Sequence, residues 1–279
     1  MILAGGKYKV LETVGQGNFG SVSIGVCIKT QKRVAIKTEC ENKHSLMKHE
    51  ATVLHYLQSQ NCKNIPFLYY YGLQKPMSVM YIVMSLYTQG SLDILRPVLK
   101  LDEKLIWWNT ALSILEHIHK AGIVHRDLKP QHFMRDEQHE WHLIDFGLAT
   151  SYLNDSQEHI KEEPKDHIVG SPNYVSWFVH GGRDVVRRDD FLSLIYVFWE
   201  LLYGSYLVDD MKIENKYCPD VLDEFNAWLR EQKEFGRFHD QLDNSYKHEE
   251  SNSVMHSLLL HAEQLAFKEK PNYNIFHIS

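Results

Sequence analysis

The sequence predicts an α+β chain with two lobes: a small antiparallel β-sheet lobe carrying one helix, and a larger, mainly helical lobe. Three observations predict it. Alternating apolar residues mark strands at 8–15, 21–28, 33–40, 67–73 and 80–85, all in the first third of the chain. One helical stripe, made by Leu46, Met47, Val53, Leu54 and Leu57, interrupts those strands over 45–58. From residue 102 onward the pattern turns helical, with helices predicted at 102–121, 191–202, 220–233 and 253–267. The polar connector from Tyr87 to Ser91 is the expected boundary, so residues 1–86 and 87–279 are read as the two lobes of a single domain.

Composition narrows the class. The 279 residues are 44% apolar and 24% charged, so an ordinary packed core is expected. The formal net charge of −6 argues against a nucleic-acid coat. Cys27, Cys40, Cys62 and Cys218 have no CxxC spacing, which favours reduced, buried thiols over a disulfide framework or a zinc site. Residues 1–7 lack the apolar run of a secretory signal, and the apolar stretch 191–202 is broken by Ser193 and Glu200 and is too short to span a bilayer. A cytoplasmic or nuclear protein without membrane contact is expected.

The first element with chemistry is Gly15-Gln16-Gly17-Asn18-Phe19-Gly20. Glycines let the backbone turn tightly and bring main-chain N–H groups up to phosphate oxygens. The pattern also suits a plain hairpin turn. A dinucleotide-binding reading needs a helix directly after the glycines, and residues 21–26 read as a strand instead. The next strand holds Val34-Ala35-Ile36-Lys37. Lys37 is either a snorkelling surface residue or a phosphate ligand. Glu50 lies on or beside the helical stripe of 45–58 and is either a solvated carboxylate or the partner that holds the Lys37 ammonium.

The helix at 102–121, with Leu105, Trp108, Leu112, Leu115 and Ile118 on one face and Gly122 placed to end it, delivers the chain to His125. There follow His125-Arg126-Asp127-Leu128-Lys129-Pro130-Gln131-His132-Phe133-Met134 and then Leu143-Ile144-Asp145-Phe146-Gly147. Two carboxylates on two short turns, a lysine beside the first, a glycine cradle and a paired lysine are the parts that phosphoryl transfer uses. It relies on positioning and charge neutralisation more than on covalent chemistry. Asp127 would orient the attacking hydroxyl, and Asp145 would hold magnesium through hard oxygen ligands. His125 reads as a core histidine bonded to backbone, and His117 and His119, two apart on a helix, make a poor chelate. Residues 152–166 are acidic and read as a mobile segment.

The ordered set resembles a protein kinase over nearly the whole chain, from Tyr8 to about Phe276, and is most similar to the casein kinase 1 family, which neighbours the vaccinia-related kinases. Val34–Cys40, Gly170-Ser171-Pro172-Asn173-Tyr174-Val175-Ser176, Arg187-Arg188-Asp189-Asp190-Phe191-Leu192-Ser193-Leu194 and Lys270-Pro271-Asn272-Tyr273 carry that likeness. The resemblance implies a bilobal protein kinase fold and an ATP-dependent serine/threonine kinase that acts as a monomer on protein hydroxyls. ATP would sit under Gly15–Gly20, with Val22 and Ala35 above the adenine, Met134 and Ile144 below it and Met84 as gatekeeper. Lys129 would stabilise the transferring phosphoryl charge, and Asp190 would brace the catalytic loop.

Three positions depart from the family pattern. His132 stands where kinases carry an asparagine that binds a second magnesium ion; imidazole is a softer ligand that suits transition metals better. Weakened activity, a shift from Mg2+ to Mn2+, a single metal held by Asp145 alone, a tolerated substitution with water filling the gap, and a nucleotide-binding scaffold without catalysis are the readings it opens. Asn173 replaces an arginine used to bind substrate anions, which leaves Lys165, Arg183, Arg187 and Arg188 as the nearby cations. Ile195 replaces a glycine in the large-lobe helix, a packing change.

Overall fold

The computed structural model describes residues 2–17, 20–40, 46–75, 78–204 and 249–277. The chain separates into two compact units, one made of residues 1–92 and 132–148 and the other of residues 93–131 and 149–279.

The first unit is built on a six-stranded antiparallel sheet. Its strands are β1 (Ile2–Leu3), β2 (Tyr8–Gly17), β3 (Gly20–Cys27), β4 (Arg33–Cys40), β5 (Leu68–Gln74) and β6 (Val79–Met84), in the order β1-β2-β3-β4-β6-β5. Alternation sorts β4 and β6 onto two faces. Val34, Ile36, Tyr81 and Val83 pack with Leu3 on one face, while Met80 and Ile82 pack on the other against Met47 and Ala51 of helix α1 (Met47–Ser59). The predicted strands and helix are therefore present, with ends shifted by one or two residues as terminal turns fray. The two-residue β1 escaped the sequence reading because so short a run carries no periodicity. The unit is completed by the hairpin of β7 (Phe133–Arg135) and β8 (Trp141–Leu143), whose turn is tied by Asp136 accepting from the N–H groups of Gln138 and Glu140.

The second unit is helical. Helix α2 (Leu92–Leu95) is short and begins at the last residue of the first unit. Helix α3 (Leu101–Lys120) buries Trp107, Trp108, Ala111, Leu112, Ile114, Leu115 and Ile118. Leu105, expected on that stripe, is half-buried. Helix α4 (Trp177–His180) leads to α5 (Arg187–Tyr203), which is buried almost throughout, and α6 (Glu249–Gln264) packs on α5. The Trp108 and Phe198 rings stack at 4.4 Å between α3 and α5; burying a side chain of that size contributes about 1.5–3 kcal/mol. Ile195 is fully buried, in keeping with a packing role. The reading of 191–202 as a buried helix holds, and among the described residues no helix is long and apolar enough to cross a membrane. The last helix begins and ends earlier than predicted, at Glu249 and Gln264. The predicted helix 220–233 and Cys218 lie outside the described residues.

The acidic segment 152–166 is folded onto itself by turns. Asn154 Oδ1 accepts from Ser156 N and Glu158 N, and bridges link Leu153 with His159 and Pro164 with Arg183. Cys27 and Cys62 are free thiols, half-buried where burial was expected.

Candidate active site

The candidate residues form two clusters, one in each unit. In the first unit, β4 places Ala35 opposite Met84 and Lys37 opposite Ile82 and Val22. Residues two apart on a strand share a face, so Ala35 and Lys37 point to the side on which α1 packs. Glu50 belongs to the buried stripe of α1, with a side chain only 2% exposed. Its Oε2 accepts from Lys37 Nζ at 2.7 Å. The same ammonium donates to Asp145 Oδ1 at 3.2 Å. Of the two readings open for Glu50, the structure shows the pairing with Lys37.

The electrostatics follow from that triad. Burial disfavours the Lys37 charge, but Glu50 and Asp145 outweigh it and its pKa is raised. Burial and the neighbouring Asp145 carboxylate push Glu50 up, against the opposing pull of Lys37. Asp145 sits in the left-handed backbone region, with φ 65°, a conformation that aspartate tolerates better than most residues. His132 follows in the same unit. It is buried in the one-turn helix Pro130–His132, its carbonyl accepts from Ile144 N at 2.8 Å, and its Nε2 lies 3.4 Å from Asp145 Oδ2. Met134 and Ile144 are half-buried on and just after the β7–β8 hairpin, and Met84 and Val22 are half-buried on the sheet.

The glycine loop divides into a structural and an open part. The β2–β3 hairpin pairs Gly15 with Val22, Gln16 with Ser21 and Gly17 with Gly20. A Cβ on Gly20 would stand 2.0 Å from the Thr38 carbonyl oxygen, so β4 itself requires glycine there. A Cβ on Gly15 would meet only Val22 Cβ, at 3.9 Å, among the described residues. Asn18 and Phe19 lie outside the described residues.

In the second unit, β9 (Ile123–Val124) pairs with β10 (Thr150–Ser151), and β9 leads directly into the loop from His125. Asp190, near the start of α5, accepts from His125 N at 2.6 Å and from Arg126 N at 2.9 Å, so it anchors the loop backbone. His125 is fully buried and its Nδ1 accepts from Asp127 N at 3.3 Å, which matches the reading of a core histidine bonded to backbone. Asp127 is almost buried. Lys129 Nζ donates to its Oδ2 at 2.8 Å, and Ser171 Oγ donates to its Oδ1 at 2.7 Å. Lys129 Nζ also reaches Ser171 Oγ at 3.1 Å, closing a three-membered network. A Cβ at Gly170, φ 104°, would lie 2.3 Å from the Arg126 carbonyl oxygen, so only glycine lets this segment run close enough to deliver Ser171.

Ser171 was missed as a site residue. Its signal was a hydroxyl directly after a glycine in the segment that follows the second carboxylate. His119 was missed as well. It lies on the buried side of α3, and its ring joins Asp190 to Tyr273.

The four cations left near Asn173 are each engaged within the chain. The buried Arg188 guanidinium lies over the Phe178 ring at 3.3 Å and bonds the Leu265 carbonyl, and Arg187 bonds the Lys268 carbonyl at 2.5 Å. Arg183 pairs with Glu162 at 2.7 Å and Lys165 with Asp184 at 3.3 Å. A cavity of about 510 Å3 in the first unit, lined by Lys32, Tyr69, Tyr87, Asp136 and His142 among others, includes none of the candidate site residues.

The chemistry available is thus a half-buried, carboxylate-oriented ammonium in one unit and a lysine- and hydroxyl-tethered carboxylate in the other. A family model described as protein kinase domain matches residues 8–264.

Proposed function

From the premise that the chain belongs to the protein kinase domain family, we propose that it is an ATP-dependent serine/threonine protein kinase of the casein kinase 1 branch, comprising a single domain over residues 1–279. The observation that carries this reading is the Lys37 ammonium held between Glu50 Oε2 and Asp145 Oδ1. A lysine fixed in this way can neutralise nucleotide phosphates without the entropy cost of ordering a free side chain. Gly15, Gln16, Gly17 and Gly20 cradle the phosphates, and Val22, Ala35, Met84, Met134 and Ile144 contact the base. Asp127 accepts a hydrogen bond from the acceptor hydroxyl of a protein substrate, and Lys129 meets the transferring charge. Asp145 and His132 are the residues that would hold the divalent cation; their carboxylate and imidazole donors fit such an ion, which supplies charge neutralisation at the phosphates when bound. The branch assignment is supported by Arg188, Asp189 and Asp190, all buried at the start of α5, and by Tyr273, buried in the closing segment.

The test is transfer of labelled γ-phosphate to a generic acidic protein in Mg2+ and in Mn2+, followed by phosphoamino-acid analysis. Phosphoserine or phosphothreonine is expected, and Asp127→Ala should abolish it. Transfer that persists in Asp127→Ala, or none with either metal, refutes the proposal.

One observation favours a second reading, a nucleotide-binding scaffold: the His132 imidazole lies against Asp145 where a second cation would be held. A thermal-shift titration separates the two. Stabilisation by ATP that depends on a divalent cation fits the enzyme, and stabilisation indifferent to it fits the scaffold.

A further inference from the structure

Asp145 presents its two oxygens to different chemistry. Oδ1 takes a hydrogen bond from the Lys37 ammonium at 3.2 Å, and Oδ2 faces His132 Nε2 at 3.4 Å. That second separation exceeds the ordinary N–H···O range of about 2.7–3.2 Å. It leaves an imidazole nitrogen and a carboxylate oxygen side by side, the mixed donor types that later first-row divalent ions accept. The pair is also held in place. The side chain of His132 is 9% exposed, its carbonyl is tied to Ile144 N, and Asp145 is oriented by Lys37. The Asp145 side chain is 41% exposed, so its carboxylate can be reached from solvent.

Resting on the kinase reading above, we propose that the cation held by His132 and Asp145 is a first-row transition ion of the Mn2+ class in preference to Mg2+, with His132 Nε2 as a direct ligand. The reason is ligand softness. Magnesium takes oxygen donors and gives up its waters reluctantly, whereas imidazole nitrogen suits the later divalent metals. An asparagine amide would leave this site all-oxygen; His132 makes it a mixed nitrogen and oxygen site. Among the described residues no group of three or more histidine, cysteine, aspartate and glutamate side chains is arranged to hold a metal. Water and the phosphates of the nucleotide would complete its shell, so the ion is retained as a nucleotide complex and only weakly alone.

Pulsed electron paramagnetic resonance on the full chain with Mn2+ and a non-hydrolysable ATP analogue tests this. The expected spectrum shows a directly coordinated nitrogen whose coupling changes when the protein is labelled with 15N-histidine, which separates imidazole from adenine. That coupling should vanish in His132→Asn and persist in His142→Asn, whose ring faces Asp136 instead. Competition between the two metals should move toward Mg2+ in His132→Asn by on the order of tenfold. Nucleotide-dependent Mn2+ binding to the wild-type chain without a histidine coupling overturns the inference and leaves the kinase reading standing. Nucleotide binding that occurs with neither metal overturns the kinase reading and the inference with it. Because the labelling measurement needs only the wild-type chain, it decides the matter even where the variant fails to fold.

Discussion

His119 Nε2 and Asp190 Oδ2 lie 3.0 Å apart, and both side chains are 1% exposed. Burial holds the His119 pKa below the ordinary imidazole range, so the neutral ring donates from Nε2 to the carboxylate and accepts from the Tyr273 hydroxyl at Nδ1. Asp190 in turn holds the backbone N–H groups of His125 and Arg126. A tyrosine near the end of the chain therefore reaches the Asp127 loop through one histidine and one carboxylate, and the closing Lys-Pro-Asn-Tyr segment gains a physical role.

Tyr273→Phe should cost about 1–3 kcal/mol of stability, because it leaves the buried His119 Nδ1 without a donor. The Asp127 loop should lose precision more than nucleotide affinity. Urea denaturation reads the first effect. Steady-state kinetics should show a lower kcat with the KM for ATP unchanged; a change in KM alone would assign Tyr273 a different role.

The same network makes stability depend on pH. Below the unfolded histidine pKa of about 6.5, the unfolded chain binds a proton at position 119 that the folded chain does not, so stability falls as pH falls. Burial pushes Asp190 up, but bonds from His119 and the His125 N–H outweigh it and its pKa is lowered. Its contribution is present above the unfolded carboxylate pKa and is lost as pH drops through the folded one. His119→Asn should flatten the stability profile between about pH 6.5 and 5 by up to about 1.4 kcal/mol per pH unit. Denaturation midpoints across that window check it, and parallel profiles for both proteins would count against a neutral His119.

Gly15→Ala and Gly20→Ala should behave differently. The Gly15 methyl has room among the described residues, so that variant should fold with near wild-type stability and lose affinity for ATP. The Gly20 methyl collides with the Thr38 carbonyl and should destabilise the sheet by about 1–3 kcal/mol. Thermal melts with and without ATP separate the two effects. Equal loss of stability would mean that Gly15 is a turn residue only.

Ser171→Ala should remove one of the groups holding Asp127. Losing a hydrogen bond to a carboxylate costs about 1.5–3 kcal/mol; if half of that appears in the transition state, phosphate transfer falls roughly fivefold. Ser171→Thr keeps the hydroxyl and should restore most of the rate. Failure of that rescue would assign the loss to packing.

Much of the architecture was legible because its signals are local. Alternation along 33–40 and the stripe of α1 report which faces are apolar, and a strand or helix needs only that to choose its buried side. Lys37, Glu50, Asp127 and Asp145 likewise stood out as candidates, since a glycine turn, a lysine in an apolar strand and two carboxylates on tight turns each break the pattern around them. The two histidines of α3 mark where this stops. Both sit near the end of one helix, yet His117 is exposed and His119 is fully enclosed. Its partners, Asp190 and Tyr273, lie 71 and 154 residues away in sequence.

Residue order alone thus established the element types, the apolar faces and the chemical inventory, because these depend on neighbours a few positions apart. Folding supplied the pairings. It matched Lys37 to Glu50 and to Asp145, 108 residues distant, set Ser171 on Asp127, and occupied Lys165, Arg183, Arg187 and Arg188 with local partners. It also set His132 against Asp145 in the β-sheet unit while Asp127, five residues earlier, joined the helical one. Periodicity reports which way a side chain faces; what it meets there depends on long-range packing, and that packing set the His132 imidazole 3.4 Å from the Asp145 carboxylate.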